Sequence, residues 1–266
     1  MTRTDELSAE GIRALLKDAS LRIECYPLVD STNTVLKERA AAGAAEGLVV
    51  AAEEQTAGRG RMGRSFFSPA GPGLYLSVLL RPTFGAEQCG LLTPAAAVAA
   101  AEAIEALSGR ETQIKWVNDV LLDGRKICGI LTEASVNWES GLADYVIVGI
   151  GVNVRAPAGD FPEDIRDRAG AVFEAESGAG QRCALAAAIL DRFMALYRSL
   201  GSEECYKSYA NRSAVLGRDV WLLSPGREPE AATVLAIERD YALRVRLADG
   251  TERLVNSGEV SIRPRE

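Results

Sequence analysis

The sequence contains no histidine. This absence excludes Ser-His-Asp and Cys-His catalysis, zinc sites built on histidine, and a pH switch based on imidazole. Cysteine is also scarce: the chain has five, which are widely spaced and form no CxxC pair. Neither a disulfide framework nor a cysteine-bound zinc cluster is therefore predicted, and this cysteine usage is typical of the reducing cytosol.

A long uninterrupted apolar run is missing as well. The longest apolar stretch, residues 91–106, is broken by Pro94, Glu102 and Glu105 and is shorter than a membrane span requires. The N-terminal residues MTRTDELSAE are polar and lack the apolar segment of a secretory signal. We therefore expect a soluble, cytoplasmic protein that has no membrane partner.

The chain lacks the basic surplus that a general nucleic-acid binder carries. Its 30 lysines and arginines are outnumbered by 37 aspartates and glutamates, so the net charge is −7. A local basic patch is still compatible with this balance. The composition, 47% hydrophobic and 25% charged, is that of a globular protein and excludes a disordered or collagen-like chain. A length of 266 residues allows one large domain, or a large and a small one.

Hydrophobic periodicity predicts mixed helices and strands over most of the chain. The predicted helices cover residues 8–19, 34–42, 90–107, 184–200 and 202–210. The predicted strands cover residues 21–28, 47–54, 73–80, 113–115, 120–122, 125–133 and 144–154. Residues 155–181 are rich in glycine, proline and charge, and are predicted to form a long surface connection.

The pattern changes after residue 216. Short strand candidates follow one another there, separated by turn residues, at 219–223, 231–237, 243–247 and 251–255. Regular spacing of this kind predicts a small β-barrel. We therefore predict an α+β fold with two domains, a mixed α/β domain over residues 1–213 and the barrel over residues 214–266.

Residues 58–64, with the sequence GRGRMGR, formally contain the motif GxGxxG. A dinucleotide-binding fingerprint needs a helix that opens inside the motif, but Pro69, Gly71 and Pro72 follow closely, so we reject that interpretation. The glycines permit a nest of backbone amides and the arginines supply charge, which predicts a mobile loop that wraps a phosphate. A solvated flexible loop or a patch that contacts RNA is the alternative that these residues leave open.

A second informative segment is a predicted hairpin around Asp123-Gly124. Asp-Gly between two apolar runs favours a two-residue turn, with Leu121 pairing with Lys126. Alternation along the second strand then places Lys126, Cys128 and Ile130 on one face. A lysine on a partly apolar face either extends to water or binds an anion, and both interpretations stay open at this point.

Oxygen ligands and strand glycines lie on either side of this hairpin. Asn118-Asp119 precedes it, and such a pair either holds a divalent cation or forms a simple turn. Gly129, Gly149 and Gly151 interrupt otherwise apolar strands. Glycine inside a strand weakens it, so these positions predict a close approach of a ligand or another segment to the backbone.

Taken together and in order, these segments resemble those of the biotin–protein ligases, in the short form without an N-terminal DNA-binding domain. The resemblance extends along nearly the whole chain, and the ordered set of motifs is highly specific. It is carried by Ser31-Thr32-Asn33, residues 55–64 (QTAGRGRMGR), 115–119 (KWVND), 126–131 (KICGIL), 149–153 (GIGVN) and 258–263 (GEVSIR).

The resemblance implies an enzyme that makes biotinyl-5′-AMP from biotin and Mg-ATP, releases pyrophosphate, and transfers biotin to a lysine of a carrier. The default carrier is the biotin carboxyl carrier protein of acetyl-CoA carboxylase. The implied fold is a mixed-sheet catalytic domain, of the class II synthetase-like biotin and lipoate ligase type, followed by an SH3-like β-barrel. The biotin carboxylate is the nucleophile, so the absence of histidine is no obstacle. No DNA binding is expected, and pairing of family members through the main sheet makes a homodimer one expectation.

The resemblance also implies roles for individual residues. Lys126 bridges the biotin carboxylate and the α-phosphate, Arg59 and Arg61 are catalytic with it, and magnesium is held by Asp119. The residues implied to bind biotin are Ser31, Thr32, Asn33, Gln55, Gly58, Arg59, Gly60, Arg61, Lys126, Gly129 and Gly151. The residues implied to bind ATP are Arg59, Arg61, Arg64, Phe66, Lys115, Asn118, Lys126, Asn153, Glu259 and Arg263.

Three positions depart from the usual pattern of the family. Val117 stands where the family has proline, Met62 where it commonly has arginine, and Phe66, implied to face adenine, where it commonly has tryptophan. Two alternative functions stay open. One is a lipoate or octanoate ligase of the same superfamily, whose loop usually carries a histidine that this chain lacks. The other is a non-catalytic module that binds a ligand or a polyanion through residues 58–64.

Overall fold

A seven-stranded mixed sheet organises the larger part of the chain in the computed structural model, which describes residues 5–137, 139–174, 180–224, 226–256 and 261–264. The strand order is β1-β2-β3-β7-β6-β5-β4, with β1 and β2 parallel and the other neighbours antiparallel. The prediction of a mixed sheet is confirmed. The strands are β1 (Arg22–Tyr26), β2 (Leu48–Ala52), β3 (Gly73–Leu80), β4 (Gln113–Lys115), β5 (Asp119–Leu122), β6 (Arg125–Asn137) and β7 (Leu142–Asn153).

Helices cover both faces of this sheet. Those in the described part of the chain are α1 (Ala9–Arg13), α2 (Thr32–Ala41), α3 (Leu92–Ser108), α4 (Gln181–Arg198) and α5 (Glu203–Asn211). Alternating side chains of β2 point to opposite sides, since Val49 joins the main core with α3 and α4, whereas Val50 packs with Leu36 of α2. The central strands β2 and β3 are therefore buried on both sides, and their sequences are continuous apolar runs.

The helix α3 forms the centre of the main core. Together with the 3₁₀ turn that precedes it, the segment Ala86–Ser108 is long and apolar enough to cross a membrane by length and composition alone. Its most apolar window is, however, 61% buried inside the protein. Small side chains such as Ala96 and Ala99 are fully buried there, which accounts for the alanine-rich sequence of this helix.

The first helix is shorter than the predicted range of 8–19. The Ser8 side chain accepts a hydrogen bond from the backbone of Gly11 and so caps α1, but the helix ends at Arg13. The backbone amides of Lys17 and Asp18 donate instead to the carboxylate of Asp191 on α4. A tertiary contact thus captures the residues that would have continued the helix.

The C-terminal part forms a second sheet, whose strands all pair antiparallel in the order β11-β10-β9-β8-β12. The predicted strands are confirmed, and Ser261–Pro264 adds one that was not predicted. Among the described residues β11 and β12 do not pair with each other, so an open sheet stands where a closed barrel was predicted. The domain boundary at 213/214 stays a prediction. The strands are β8 (Asp219–Leu223), β9 (Glu230–Ile237), β10 (Leu243–Leu247), β11 (Glu252–Val255) and β12 (Ser261–Pro264).

A buried hydrogen bond joins the two sheets, and its removal is expected to destabilise the fold. Trp116 Nε1 donates to the carbonyl oxygen of Tyr241 over 2.7 Å, and both residues are buried. Trp116→Phe keeps an aromatic ring but leaves that carbonyl without its indole donor, which costs about 1–3 kcal/mol of unfolding free energy. Urea denaturation measures the change.

The control for this experiment is Tyr26→Phe. The Tyr26 hydroxyl donates to Glu24 and accepts from Arg39, and both of these side chains are solvent-accessible, so water replaces the two lost bonds. A change within about 0.5 kcal/mol is expected for this control. An unchanged unfolding midpoint in Trp116→Phe would contradict the importance of the inter-sheet bond.

Candidate active site

A single cleft of about 930 Å³, including its open mouth, gathers most of the residues singled out in the sequence. It lies between the start of α2, the loop 55–66, the segment 115–119 and strands β6 and β7. Its size is that of a small-molecule site. The predicted site residues that line it are Ser31, Thr32, Asn33, Gln55, Arg59, Gly60, Arg61, Arg64, Phe66, Lys115, Asn118, Asp119, Lys126, Gly129 and Gly151.

Two paired glycines form the floor of the cleft. Gly129 of β6 lies opposite Gly151 of β7, and the ring of Phe66 lies over both. A Cβ atom at Gly151 would stand 2.6 Å from Phe66 Cε1, and one at Gly149 would stand 2.2 Å from Asn33 Oδ1. The predicted close approach at Gly149 and Gly151 is therefore confirmed, with a phenyl ring and a carboxamide as the approaching groups.

A β-bulge places Lys126 in this cleft. The Asp-Gly turn forms as predicted and pairs Leu121 with Lys126, but Val120 pairs with Cys128, so Ile127 is an extra residue on β6. The bulge turns Lys126 toward Gly129, whose Cβ position would lie 3.0 Å from Lys126 Nζ. The prediction that Lys126 shares a face with Cys128 and Ile130 is thus wrong, because the alternation is interrupted between them.

Lys126 is held by partners on two sides. Its Nζ lies 2.7 Å from Asp119 Oδ1 and 5.8 Å from the centroid of the Phe66 ring. The carboxamide of Asn153 donates to the backbone oxygens of Gly170 and Lys126, over 2.9 and 3.4 Å. Asn153 is absent from the described lining of the cleft, so the structure places it as a support for the backbone of Lys126.

Asn118 connects three segments at the mouth of the cleft. Its Nδ2 donates to the carbonyl oxygen of Ile130 and to Asp119 Oδ1, each over 3.1 Å. Its Oδ1 accepts a hydrogen bond from Arg61 Nη1 over 3.0 Å. The amide thereby ties the loop 58–64 to strand β6. The peptide bond between Trp116 and Val117, just before Asn118, is cis.

Asp119 is the one carboxylate among the described residues that line the cleft. Mg²⁺ is commonly held by one or two carboxylates together with substrate phosphates and water. Elsewhere in the described residues, no group of three or more His, Cys, Asp or Glu side chains is placed to bind a metal. The donor set of the cleft therefore fits a magnesium ion that arrives with a polyphosphate.

The glycine–arginine loop has a defined turn and no helix follows it up to Pro72, in agreement with the rejection of a dinucleotide fingerprint. Gly60 donates to Arg64 and Phe66 donates to Gly58 through their backbones, over 2.7 and 2.8 Å. A Cβ atom at Gly58 would lie 2.4 Å from the backbone oxygen of Phe66, so the turn requires glycine there. Gly58 is not among the described residues that line the cleft, and its role is to shape the loop.

The cleft is strongly cationic in a chain whose net charge is −7. Five described lining residues carry positive charge against the one carboxylate of Asp119. Burial lowers the pKa of Lys115 and of Arg61, and Asp119 partly opposes this shift at both. Cations that are partly desolvated bind anions more strongly than solvated ones, so this site is built for an anionic ligand. The cations are Arg59, Arg61, Arg64, Lys115 and Lys126.

The start of α2 carries three neighbouring polar side chains. Ser31, Thr32 and Asn33 are all buried, and within the described structure the Ser31 side chain makes no capping hydrogen bond. Gln55 Oε1 accepts from the backbone amide of Thr32 over 2.9 Å, and Gln55 Nε2 donates to Ser68 Oγ over 2.9 Å. Buried polar groups not used as caps point to a ligand-binding role.

Two polar residues of this region were missed in the sequence. Ser77 is fully buried within β3 and hydrogen-bonds to Thr32 and Asn33. Glu133 of β6 accepts hydrogen bonds from Asn33, Lys37 and Arg59. The available signal for Ser77 was a serine inside the apolar predicted strand 73–80, whereas Glu133 ends the predicted strand 125–133 among other polar residues and gave no signal.

Two of the predicted ATP-binding residues, Glu259 and Arg263, belong to the C-terminal part of the chain. Glu259 lies outside the described residues, and so does the side chain of Arg263. Their neighbour Ile262 on β12 lines the cleft, so the second sheet reaches the site.

The chain is similar to known proteins along most of its length. Residues 25–153 match the Biotin/lipoate A/B protein ligase family. The biotin–[acetyl-CoA-carboxylase] ligase of Mycobacterium tuberculosis is 32% identical over 240 residues, which cover 86% of this chain and 85% of that protein. The bifunctional ligase/repressor BirA of Bacillus subtilis is 39% identical over 73% of this chain, and that of Bacillus spizizenii 40% over 64%. The chain spans 59% and 52%, respectively, of the lengths of these two relatives.

Solved structures share the fold. The biotin protein ligase from Aquifex aeolicus in complex with biotin and ATP superposes with a TM-score of 0.73 at 26% identity, over 91% of this chain and 99% of that one. The biotin protein ligase from Leishmania major in complex with biotinyl-5-AMP has a TM-score of 0.59 at 26% identity, over 88% and 98%. The predicted mixed-sheet fold of the biotin and lipoate ligase type is thereby confirmed, apart from the closed barrel.

Proposed function

The chain belongs to the biotin/lipoate A/B protein ligase family, and we propose that it is a biotin–protein ligase, which activates biotin with Mg-ATP and transfers it to a carrier lysine. The observation that carries the proposal is the joining of two features in one cleft. Glycines of β6 and β7 and the buried polar groups at the start of α2 line the same cleft as the cationic cluster around Lys126. The glycines and the buried polar groups suit a neutral ring with an acyl chain. The cationic cluster suits the biotin carboxylate and the ATP phosphates, which must come together in the reaction.

In the first step the biotin carboxylate attacks the α-phosphate of ATP and pyrophosphate leaves. Lys126 releases Asp119 and lies between the two anions, which lowers their mutual repulsion. Arg59 and Arg61, on the loop above, add charge and hold the phosphate in line with the carboxylate. Asp119 would hold the magnesium of Mg-ATP with Asn118 beside it, and the ion supplies further charge neutralisation on the phosphates.

In the second step a carrier lysine attacks the activated carbonyl carbon of biotinyl-5′-AMP and AMP leaves. The loop 58–64 covers the adenylate, which keeps water from hydrolysing the mixed anhydride before the lysine arrives. We propose the biotin carboxyl carrier protein of acetyl-CoA carboxylase as the partner. The five cysteines all lie in the described residues and are free thiols, in keeping with the proposed cytoplasmic location. The homodimer stays a prediction.

ATP–pyrophosphate exchange tests this proposal, with biotin, lipoate or octanoate as the added acid. Exchange that depends on biotin, with little on the other two acids, is the expected result. Exchange with lipoate or octanoate would assign the chain to the sister activity of the family. No exchange with any acid, in folded protein with Mg²⁺, would favour the non-catalytic module.

The lowered pKa of Lys115 predicts that ATP affinity falls at alkaline pH. Burial holds the pKa of the free lysine below its ordinary value, and a polyphosphate beside it would raise that pKa again. Binding then takes up a proton, so affinity decreases as the pH rises from the pKa of the free lysine to that of the complex. Titration calorimetry over a series of alkaline pH values, in buffers of different ionisation heat, measures this uptake.

Lys115→Met is the variant that tests the assignment. It removes the titrating group, and the proton uptake should vanish while weaker ATP binding persists. The exposed Lys207, paired only at the surface with Glu203, supplies the matched control Lys207→Met. Uptake that is unchanged in Lys115→Met would contradict the role of this lysine.

A further inference from the structure

A continuous chain of hydrogen bonds runs behind the cleft from Glu133 to Thr32. Asn33 Nδ2 donates to Glu133 Oε2 over 2.8 Å, and Asn33 Oδ1 accepts from Ser77 Oγ over 2.6 Å. Ser77 Oγ in turn lies 2.7 Å from Thr32 Oγ1. Ser77 is fully buried, and Thr32 and Asn33 are nearly so. The direction of every bond in this chain is therefore decided inside the protein, without competition from water.

The charge at one end fixes that direction. Burial alone would raise the pKa of Glu133, but hydrogen bonds from Lys37 and Asn33 and the nearby charge of Arg59 outweigh it and hold the pKa below its ordinary value. An ionised carboxylate only accepts hydrogen bonds, so the NH₂ group of Asn33 faces it, with the carbonyl oxygen of Leu131 as a second and longer acceptor at 3.4 Å. The Asn33 oxygen then faces Ser77, and the only proton of the Ser77 hydroxyl is committed to that oxygen.

The consequence reaches the cleft at Thr32. Because Ser77 Oγ has given its proton to Asn33, it can only accept from Thr32, and the Thr32 proton is committed in turn. Gln55 Oε1, which accepts from the Thr32 backbone amide over 2.9 Å, lies 3.2 Å from Thr32 Oγ1 and is a second, longer acceptor for the same proton. Thr32 lines the cleft, and its hydroxyl oxygen is left with lone pairs and no proton to offer.

We propose that Glu133 is a positioning residue that sets this chain so that Thr32 Oγ1 accepts a hydrogen bond from an N–H of the bound head group. The inference rests on the proposed function and deepens it, because it names a source of selectivity. A cyclic urea offers N–H donors to such an acceptor, whereas a dithiolane or alkyl head offers none. A site whose buried acceptor stays unpaired rejects the ligand that lacks the donor.

The test combines a protein variant with ligand variants. Glu133→Gln is nearly isosteric, but its amide can donate, so only the longer hydrogen bond from Asn33 to the Leu131 carbonyl oxygen still favours the original direction of the chain. Biotin affinity should fall by on the order of tenfold, the value of one hydrogen bond. Biotin methylated at one or the other ureido nitrogen already lacks one donor. For the isomer that lacks the N–H facing Thr32, Glu133→Gln should cause little further loss.

This non-additivity separates positioning from general damage to the site. A loosened loop or a weakened fold would reduce the affinity for biotin and for both methylated isomers by the same factor. The matched control is Glu105→Gln, because Glu105 has a similar exposure, 24% against 23%, and an arginine partner, Arg212, away from the cleft. The control should bind all three ligands as the wild type does.

Ser77→Ala provides an independent variant, which breaks the same chain of hydrogen bonds without removing a partner of Lys37 or Arg59. It replaces Glu133→Gln in the test if that variant fails to fold. The same selective loss is expected. Equal losses for all three ligands, or no loss for biotin, would overturn the inference while leaving the proposed function in place. A wild-type chain that does not bind biotin would overturn both.

Discussion

Replacing Lys126 by alanine is expected to lower the rate of biotin-dependent ATP–pyrophosphate exchange by about 10²–10³-fold or more while the protein stays folded. The reason is the repulsion between the biotin carboxylate and the α-phosphate, which Lys126 is placed to offset. Its ammonium group stands at the junction of the glycine floor and Asp119, and is only partly exposed. Loss of one such charge from a partly desolvated site removes stabilisation from the step in which two anions meet.

The fold should tolerate this change because Lys126 contributes little to the core. Its ion pair with Asp119 is partly solvated, and such pairs are worth about 0–1 kcal/mol. Circular dichroism and the unfolding midpoint check this. Lys207→Ala, which removes an exposed lysine that pairs with Glu203 on α5, is the control and should keep full exchange. Near-normal exchange by folded Lys126→Ala would remove Lys126 from the mechanism.

Local chemistry explains which parts of the fold were predictable. The hairpin between β5 and β6 was predicted with its register because the Asp-Gly turn specifies it through its own backbone, with positive φ at both residues. The bulge at Ile127 was not predicted, because an extra residue in a strand depends on how β6 fits between β5 and β7. Because this extra residue shifts the alternation of β6 by one position, Lys126 lies on the face opposite to the one predicted.

The same distinction applies to the candidate site. Glycines and arginines between residues 58 and 64 form an unusual composition that the sequence displays directly. Ser77 and Glu133 lie on separate strands, and only the folded sheet brings them to Asn33. In α1, likewise, the predicted helix was cut short by a partner on α4, Asp191, that lies far away in the chain. Groups whose role arises from a distant contact leave no local pattern to detect.

Gly151→Ala is expected to raise the KM for biotin by roughly 10–100-fold, with a smaller effect on the KM for ATP. The added Cβ would lie 2.6 Å from Cε1 and 2.8 Å from Cζ of Phe66, so the ring must move. Phe66 packs edge-on against Tyr75 and covers Gly129 as well, which limits where it can go. Forcing an extra carbon into such a contact costs about 1–3 kcal/mol, and here the strain falls on the slot proposed for biotin.

The control and the rescue both follow from the geometry. Gly90→Ala adds the same atom where no heavy atom lies within 4 Å, among the described residues, and the backbone is not left-handed, so KM should not change. Gly151→Ala combined with Phe66→Leu removes the ring atoms that the new Cβ meets. The double variant should bind biotin more tightly than Gly151→Ala does. This recovery should exceed what the separate effect of Phe66→Leu predicts. An unchanged KM for biotin in Gly151→Ala would mean that biotin does not bind beside this glycine pair and the Phe66 ring, because a ligand held there would meet the displaced ring.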